Sequence, residues 1–159
     1  MKKLLLVAAM GLTGILSSTA QAASTSGTFN VNITLTSSCT LAAITAVDFA
    51  YTSFQGGAAT ATGGGFNVSC TTNLPYTFGL QAGNGAPTPP GAATINVTDN
   101  AVNLAYTLAL SAAGGTGSGA AQAFSVTGTM AGAQSGTCAT ATCTNAAATN
   151  RVHTLIVNY

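Results

Sequence analysis

Apolar and polar residues alternate with a period of two over much of this chain, the mark of half-buried β-strands. TFNVNITL is the cleanest case: Phe29, Val31, Ile33 and Leu35 share one face, with Asn30, Asn32 and Thr34 opposite. A short strand is predicted in TLAAIT, from Thr40. GGGFNVSCT turns Phe66 and Val68 inward beside Cys70, and LPYTFGLQ does the same with Tyr76, Phe78 and Leu80. ATINVT follows, and VNLAYTLAL aligns Leu104, Tyr106, Leu108 and Leu110. QAFSVTGTM supplies one more strand and VHTLIVNY the last, rich in residues suited to a pleated surface.

GGAATATGGG, QAGNGAPTPPGAA and SAAGGTGSGAAQA read as loops, because glycine and proline provide turn conformations. The PTPP stretch reads as a surface turn. No amphipathic helix of convincing length, sequence repeat or second domain is visible. About seven short strands behind one long N-terminal run predict an all-β immunoglobulin-like sandwich.

Composition places this fold outside the cytoplasm. The first 22 residues join Lys2 and Lys3 to an apolar stretch ending near Leu16 and an Ala20-Gln21-Ala22 site. That is the layout of a bacterial secretory signal, too short to span a bilayer comfortably, with cleavage after Ala22 or Ala23. About 137 residues follow, enough for one domain with a core. Past the leader the only formal charges are Arg151, Asp48 and Asp99. Soluble domains usually carry about a quarter charged residues. A surface this neutral does not steer towards nucleic acid, which needs clustered Lys and Arg. It also lacks the charges that keep strand edges apart. Two readings stay open: a secreted domain covered in Thr, Asn and Ser, or a subunit whose edges are meant to pair.

Four cysteines suit an oxidising compartment. Cys39 and Cys70, each beside a strand-like run, are expected to pair, as are Cys138 and Cys143 across the small loop TCATATCT. A four-thiolate zinc site would need reduced thiols and paired CxxC spacing, which is absent. Neither metal nor cofactor is expected.

The final strand raises a question of neighbours. A sandwich of this kind would place one more strand beside VHTLIVNY, and none follows in this sequence. An incomplete sandwich with an apolar groove along that edge is therefore expected, and the N-terminal run is surplus. Folding back would require a reversal over Thr36, Ser37 and Ser38, which contain neither glycine nor proline. Donation of Phe29, Val31, Ile33 and Leu35 to the next copy is the favoured solution, and it builds an open filament. The expected division is a leader over 1–22, an extension with the donor strand over 23–38, and a sandwich over 39–159.

In this order, FNVNITLTSSCTL, VDFAYTSF, GGGFNVSCT, LPYTFGLQAG, LAYTLAL, VTGTMAGAQ and the terminal IVNY resemble the spore coat protein U domain. That domain is shared by archaic (Csu-type) chaperone–usher pilins. The resemblance implies an incomplete immunoglobulin-like fold, a periplasmic chaperone that lends a strand until assembly, an outer-membrane usher, and other pilus subunits as neighbours. It implies the same donor residues and a disulfide between Cys39 and Cys70. It makes Leu155, Val157 and Tyr159 one groove wall, with the Tyr159 carboxylate a chaperone contact. The chain departs from the pattern in three places. Thr149 and Arg151 stand where the family has an aromatic residue and an aspartate, INVTDN replaces an arginine-methionine signature, and Cys138 and Cys143 are additional.

Catalytic chemistry has little to work with. A hydrolase triad needs a nucleophile, a base and an orienting acid, and the chain has one histidine, His153, predicted at the groove edge or surface. Asp48 and Asp99 would have to meet to form a glycosidase pair, and no glycine-rich stretch carries the lysine of a phosphate loop. Asn32, Asn67 and Asn96 begin N-x-S/T sequons, which a bacterial leader leaves without consequence. The alternative to a pilus subunit is a self-complemented, monomeric secreted coat or adhesin-type binding module.

Overall fold

The computed structural model describes residues 23–159; the secretory leader read in 1–22 lies outside the described residues. The chain divides into two units, Met1–Thr34 and Leu35–Tyr159.

In the second unit, strands follow one another as β1 (Cys39–Leu41), β2 (Val47–Asp48), β3 (Ala59–Thr60), β4 (Thr62–Gly63), β5 (Gly65–Cys70) and β6 (Pro75–Ala82). They continue as β7 (Thr94–Thr98), β8 (Ala105–Leu110), β9 (Gly114–Thr116), β10 (Gln122–Met130) and β11 (His153–Asn158). No helix occurs among the described residues. The larger sheet runs β1-β5-β10-β8-β7 with β3 on β10, the smaller runs β11-β6-β9, and β2 pairs with β4. This is the all-β, immunoglobulin-like sandwich arrangement that the alternation predicts.

Period two explains the core. Phe66, Val68 and Cys70 on β5, Tyr76, Phe78 and Leu80 on β6, and Tyr106 and Leu108 on β8 are all buried. Phe66 meets Phe78 edge-on at 5.4 Å between ring centroids, and Phe124 of β10 meets Phe78 at 4.8 Å. Such offset and edge-on pairs use the ring quadrupole as well as burial. At one margin, β1 is bonded to β5 through Cys39–Cys70, and Cys138–Cys143 closes the second disulfide.

Three expectations differ from what is observed. TLAAIT is strand only as far as Leu41, where β1 ends. VNLAYTLAL begins its strand only at Ala105: Asn103 adopts φ 47°, and the Leu104 carbonyl accepts the Asp99 amide at 2.9 Å, closing a turn. Two stretches read as loops contain strands, β3 and β4 in the first and β9 in the second. Close backbone approach marks two of them: a Cβ at Gly63 of β4 would strike the Ala46 carbonyl oxygen, and one at Gly114 of β9 the Tyr76 carbonyl oxygen. Strands built by such close approach carry no apolar alternation to read.

The N-terminal run is a separate case, since its strand is expected on donation to another copy. No strand forms over residues 23–38, although TFNVNITL has the strongest alternation in the chain. Phe29 is 86% exposed, Val31 71%, Ile33 85% and Leu35 78%. A single run without a ladder partner has no hydrogen-bonded neighbour to hold it as a strand, so side-chain pattern alone does not produce one here.

Candidate functional site: an apolar cleft with a polar end

Residues Ile44–Thr52 and the start of β11 form two walls of a cleft of about 980 Å³. Val47 and Phe49 contribute to one wall and Leu155 to the other, over a floor of Leu80, Leu108, Val126 and Met130. The first wall exists because Val47, Phe49 and Tyr51 alternate with Asp48 and Ala50. That alternation was available in VDFAYTSF and is the signal by which this wall could have been found. Among the described residues no strand other than β6 pairs with β11, and an isolated bridge joins His153 to Gly83, the residue after β6.

Of the three groove-edge candidates, Leu155 lines the cleft. Val157 is half-buried against the core beyond it, and Tyr159 is 64% exposed. Tyr51 is held: its hydroxyl accepts the Gln134 amide at 2.8 Å. Phe54, at φ 62°, is exposed.

One end of the cleft is polar. The Tyr106 hydroxyl and His153 Nε2 lie 2.7 Å apart, and the Gly83 amide donates to His153 Nδ1 at 3.3 Å. With Nδ1 accepting, the neutral ring carries its proton on Nε2 and donates to Tyr106. Burial holds the His153 pKa below the ordinary imidazole value; protonating Nδ1 would also set it against the Gly83 N–H. Burial raises the Tyr106 pKa, and the Asp99 charge raises it further. His153 is thus a half-buried groove-edge residue, and the nucleophile and orienting acid of a triad are absent from its hydrogen bonds.

Asp99 follows β7 and is only 2% exposed. Its Oδ1 accepts the amides of Ala101 (2.8 Å) and Val102 (3.0 Å), and Oδ2 accepts Asn145 Nδ2 (2.9 Å). Burial alone would raise its pKa, but these hydrogen bonds together outweigh burial and hold it below the usual carboxylate range. A carboxylate so held stays ionised, with both oxygens engaged. It lacks the raised pKa of a glycosidase acid; Asp48 lines the same cleft without a hydrogen bond to it.

Next to it, Asn100 holds the loop before β11. Asn100 Nδ2 donates to Thr149 Oγ1 at 2.7 Å, and its Oδ1 accepts the Thr149 amide at 3.2 Å. Asn150 accepts the Asn100 amide (3.2 Å) and donates to the Thr98 carbonyl (2.8 Å). The departures at INVTDN and at Thr149 are therefore two sides of one contact. No cluster of three potential metal ligands occurs among the described residues.

A family model described as the Spore Coat Protein U domain matches residues 25–154. No curated protein and no solved structure matches the chain.

Proposed function

Because the chain belongs to the Spore Coat Protein U domain family, a family of structural domains associated with surface pili and coats, we propose that it is a structural subunit of an extracellular chaperone–usher pilus. It polymerises by donor-strand complementation and supports adhesion or biofilm formation. Residues 1–22 direct export, 23–38 carry the donor strand, and 39–159 form the body. Phe29, Val31, Ile33 and Leu35 of one copy enter the cleft of the next, beside Leu155. Before assembly a periplasmic chaperone lends its own strand, contacting Val157 and the Tyr159 carboxylate. An outer-membrane usher then passes the subunit to the cell surface, where other pilus subunits are its neighbours and nucleic acid is not.

The observation that carries this reading is the exposure of all four apolar side chains on one face of residues 29–35. Water disfavours such a face, and an apolar cleft of matching chemistry is present in the same protein. Burying the four side chains contributes about 6–12 kcal/mol per junction at roughly 1.5–3 kcal/mol each. Part of that offsets the cost of association. Donation in trans is favoured over folding back because Ser38 is already fixed: its carbonyl accepts the Thr71 amide and its own amide donates to Thr71 Oγ1, each at 3.0 Å. Only Thr36 and Ser37 remain to reverse the chain after Leu35.

The test is gel mobility of protein assembled on cells. A ladder that survives mild SDS and collapses on boiling is expected. A stable monomer with a protease-protected N-terminus would instead identify a self-complemented coat or adhesin-type module.

A further inference from the structure

We propose that the disulfide-closed loop Cys138–Cys143 forms a second contact between successive copies of this chain, meeting the segment Thr36–Ser38 and the Thr71–Asn73 turn of the copy that donates its run. This rests on the donor reading above.

A strand added beside β11 is favoured in the antiparallel sense, the more stable and more common pairing. β11 starts at His153, at the polar end of the cleft, and runs towards Asn158. An antiparallel guest therefore ends there, bringing Leu35 to the polar end and leaving Phe29 at the other. Leu35 is three Cα steps from Ser38, and an extended chain covers about 10–11 Å in that distance. Ser38 is bonded to Thr71, and Cys39 to Cys70. The donor's body must accordingly begin within that short reach of the polar end.

The loop stands where that body arrives. Thr142, Cys143, Thr144 and Asn145 line the cleft together with Asp99, Arg151 and His153. Residues 138–144 are exposed, and the loop is held from both sides. Cys138–Cys143 closes it, and Asn145 ties it to buried Asp99 at 2.9 Å. The surfaces also match in character: the loop reads Cys-Ala-Thr-Ala-Thr-Cys, and the donor presents Thr36, Ser37, Ser38, Thr72 and Asn73. Both are uncharged and rich in hydroxyl or amide groups, so they can meet by hydrogen bonds without burying an unpaired charge. Held rigid, the loop limits the hinge that a free two-residue linker would otherwise provide.

The experiment places a photo-reactive benzoylphenylalanine at Ala141 of the full chain, assembles filaments, irradiates, and maps the links by mass spectrometry. Expected is a covalent ladder that survives boiling, with links to Thr36–Leu41 or Thr71–Asn73 of another copy. Filaments whose links fall within one chain, or near Phe29 of a neighbour, overturn the contact while leaving donation standing. If the unmodified chain forms no SDS-resistant ladder, donation itself fails and the contact with it. As a second measurement, the double variant Cys138→Ser, Cys143→Ser should still form the ladder but give filaments of shorter persistence length. Unchanged persistence length overturns the loop's stiffening role.

Discussion

Asp99 shows how one side chain can organise a region that no local pattern marks. Its partners Ala101 and Val102 are near in sequence, but Asn145 is not, and only the fold brings it to Oδ2 at 2.9 Å. Asp99→Ala should cost about 1–3 kcal/mol by urea unfolding, since it leaves those donors without their acceptor. The pH dependence has a defined sign. The folded pKa of Asp99 lies below the unfolded value, so its contribution is present above about pH 3.9 and is lost as pH falls through the folded value. His153 acts in the same direction at higher pH: its folded pKa is also depressed, so stability declines as pH drops below about 6.5. His153→Gln should flatten the loss of stability between pH 7 and pH 5 in thermal melts. An unchanged slope would remove His153 as its source. The buried positions Phe66, Val68, Tyr76, Phe78 and Leu108 were legible because each sits in an alternating run. The Asp99–Asn145 and Tyr106–His153 pairs were not, because a polar contact between distant segments leaves no periodic trace.

Among elements, the strands that carry large apolar side chains were readable and those made of glycine, alanine and threonine were not. β5, β6, β8 and β10 follow their patterns, whereas β4 and β9 go with close backbone approach at Gly63 and Gly114, and β3 is a two-residue Ala-Thr pairing with β10. The N-terminal run shows the reverse case: a strong pattern with no strand, since pattern specifies a face and pairing requires a partner. That distinction yields a face-specific test. Ile33→Asp puts a charge on the apolar face and should abolish filaments seen by electron microscopy. Asn32→Asp puts the same charge on the opposite face and should leave them intact, because successive side chains point to opposite sides. Equal behaviour of the two variants would mean that the run does not enter a groove with one face inward.

For the whole molecule, near-neutral composition, two disulfides and an open apolar cleft belong together. With few charges to guard its edges, the body relies on covalent and hydrogen-bonded ties to keep its shape. The Cys39–Cys70 bond, separated by 31 residues, should contribute about 3–4 kcal/mol and Cys138–Cys143, separated by 5, about 2. Denaturant midpoints of the two double-serine variants would rank them. A groove was expected along the edge of the last strand. The first wall at Val47 and Phe49 had a local signal in the alternation of VDFAYTSF, whereas the polar end had none, since it depends on how segments far apart in sequence converge.

Exchange of the run between molecules is tested most directly with isotope mixing. Light and heavy protein are assembled together, each carrying a photo-reactive group at position 33, and the cross-linked peptides are weighed. Links from position 33 to Phe49, Met130 or Leu155 in light–heavy pairs are the predicted result. Links to those residues in same-isotope pairs alone would place each run in its own body and contradict polymerisation by strand donation.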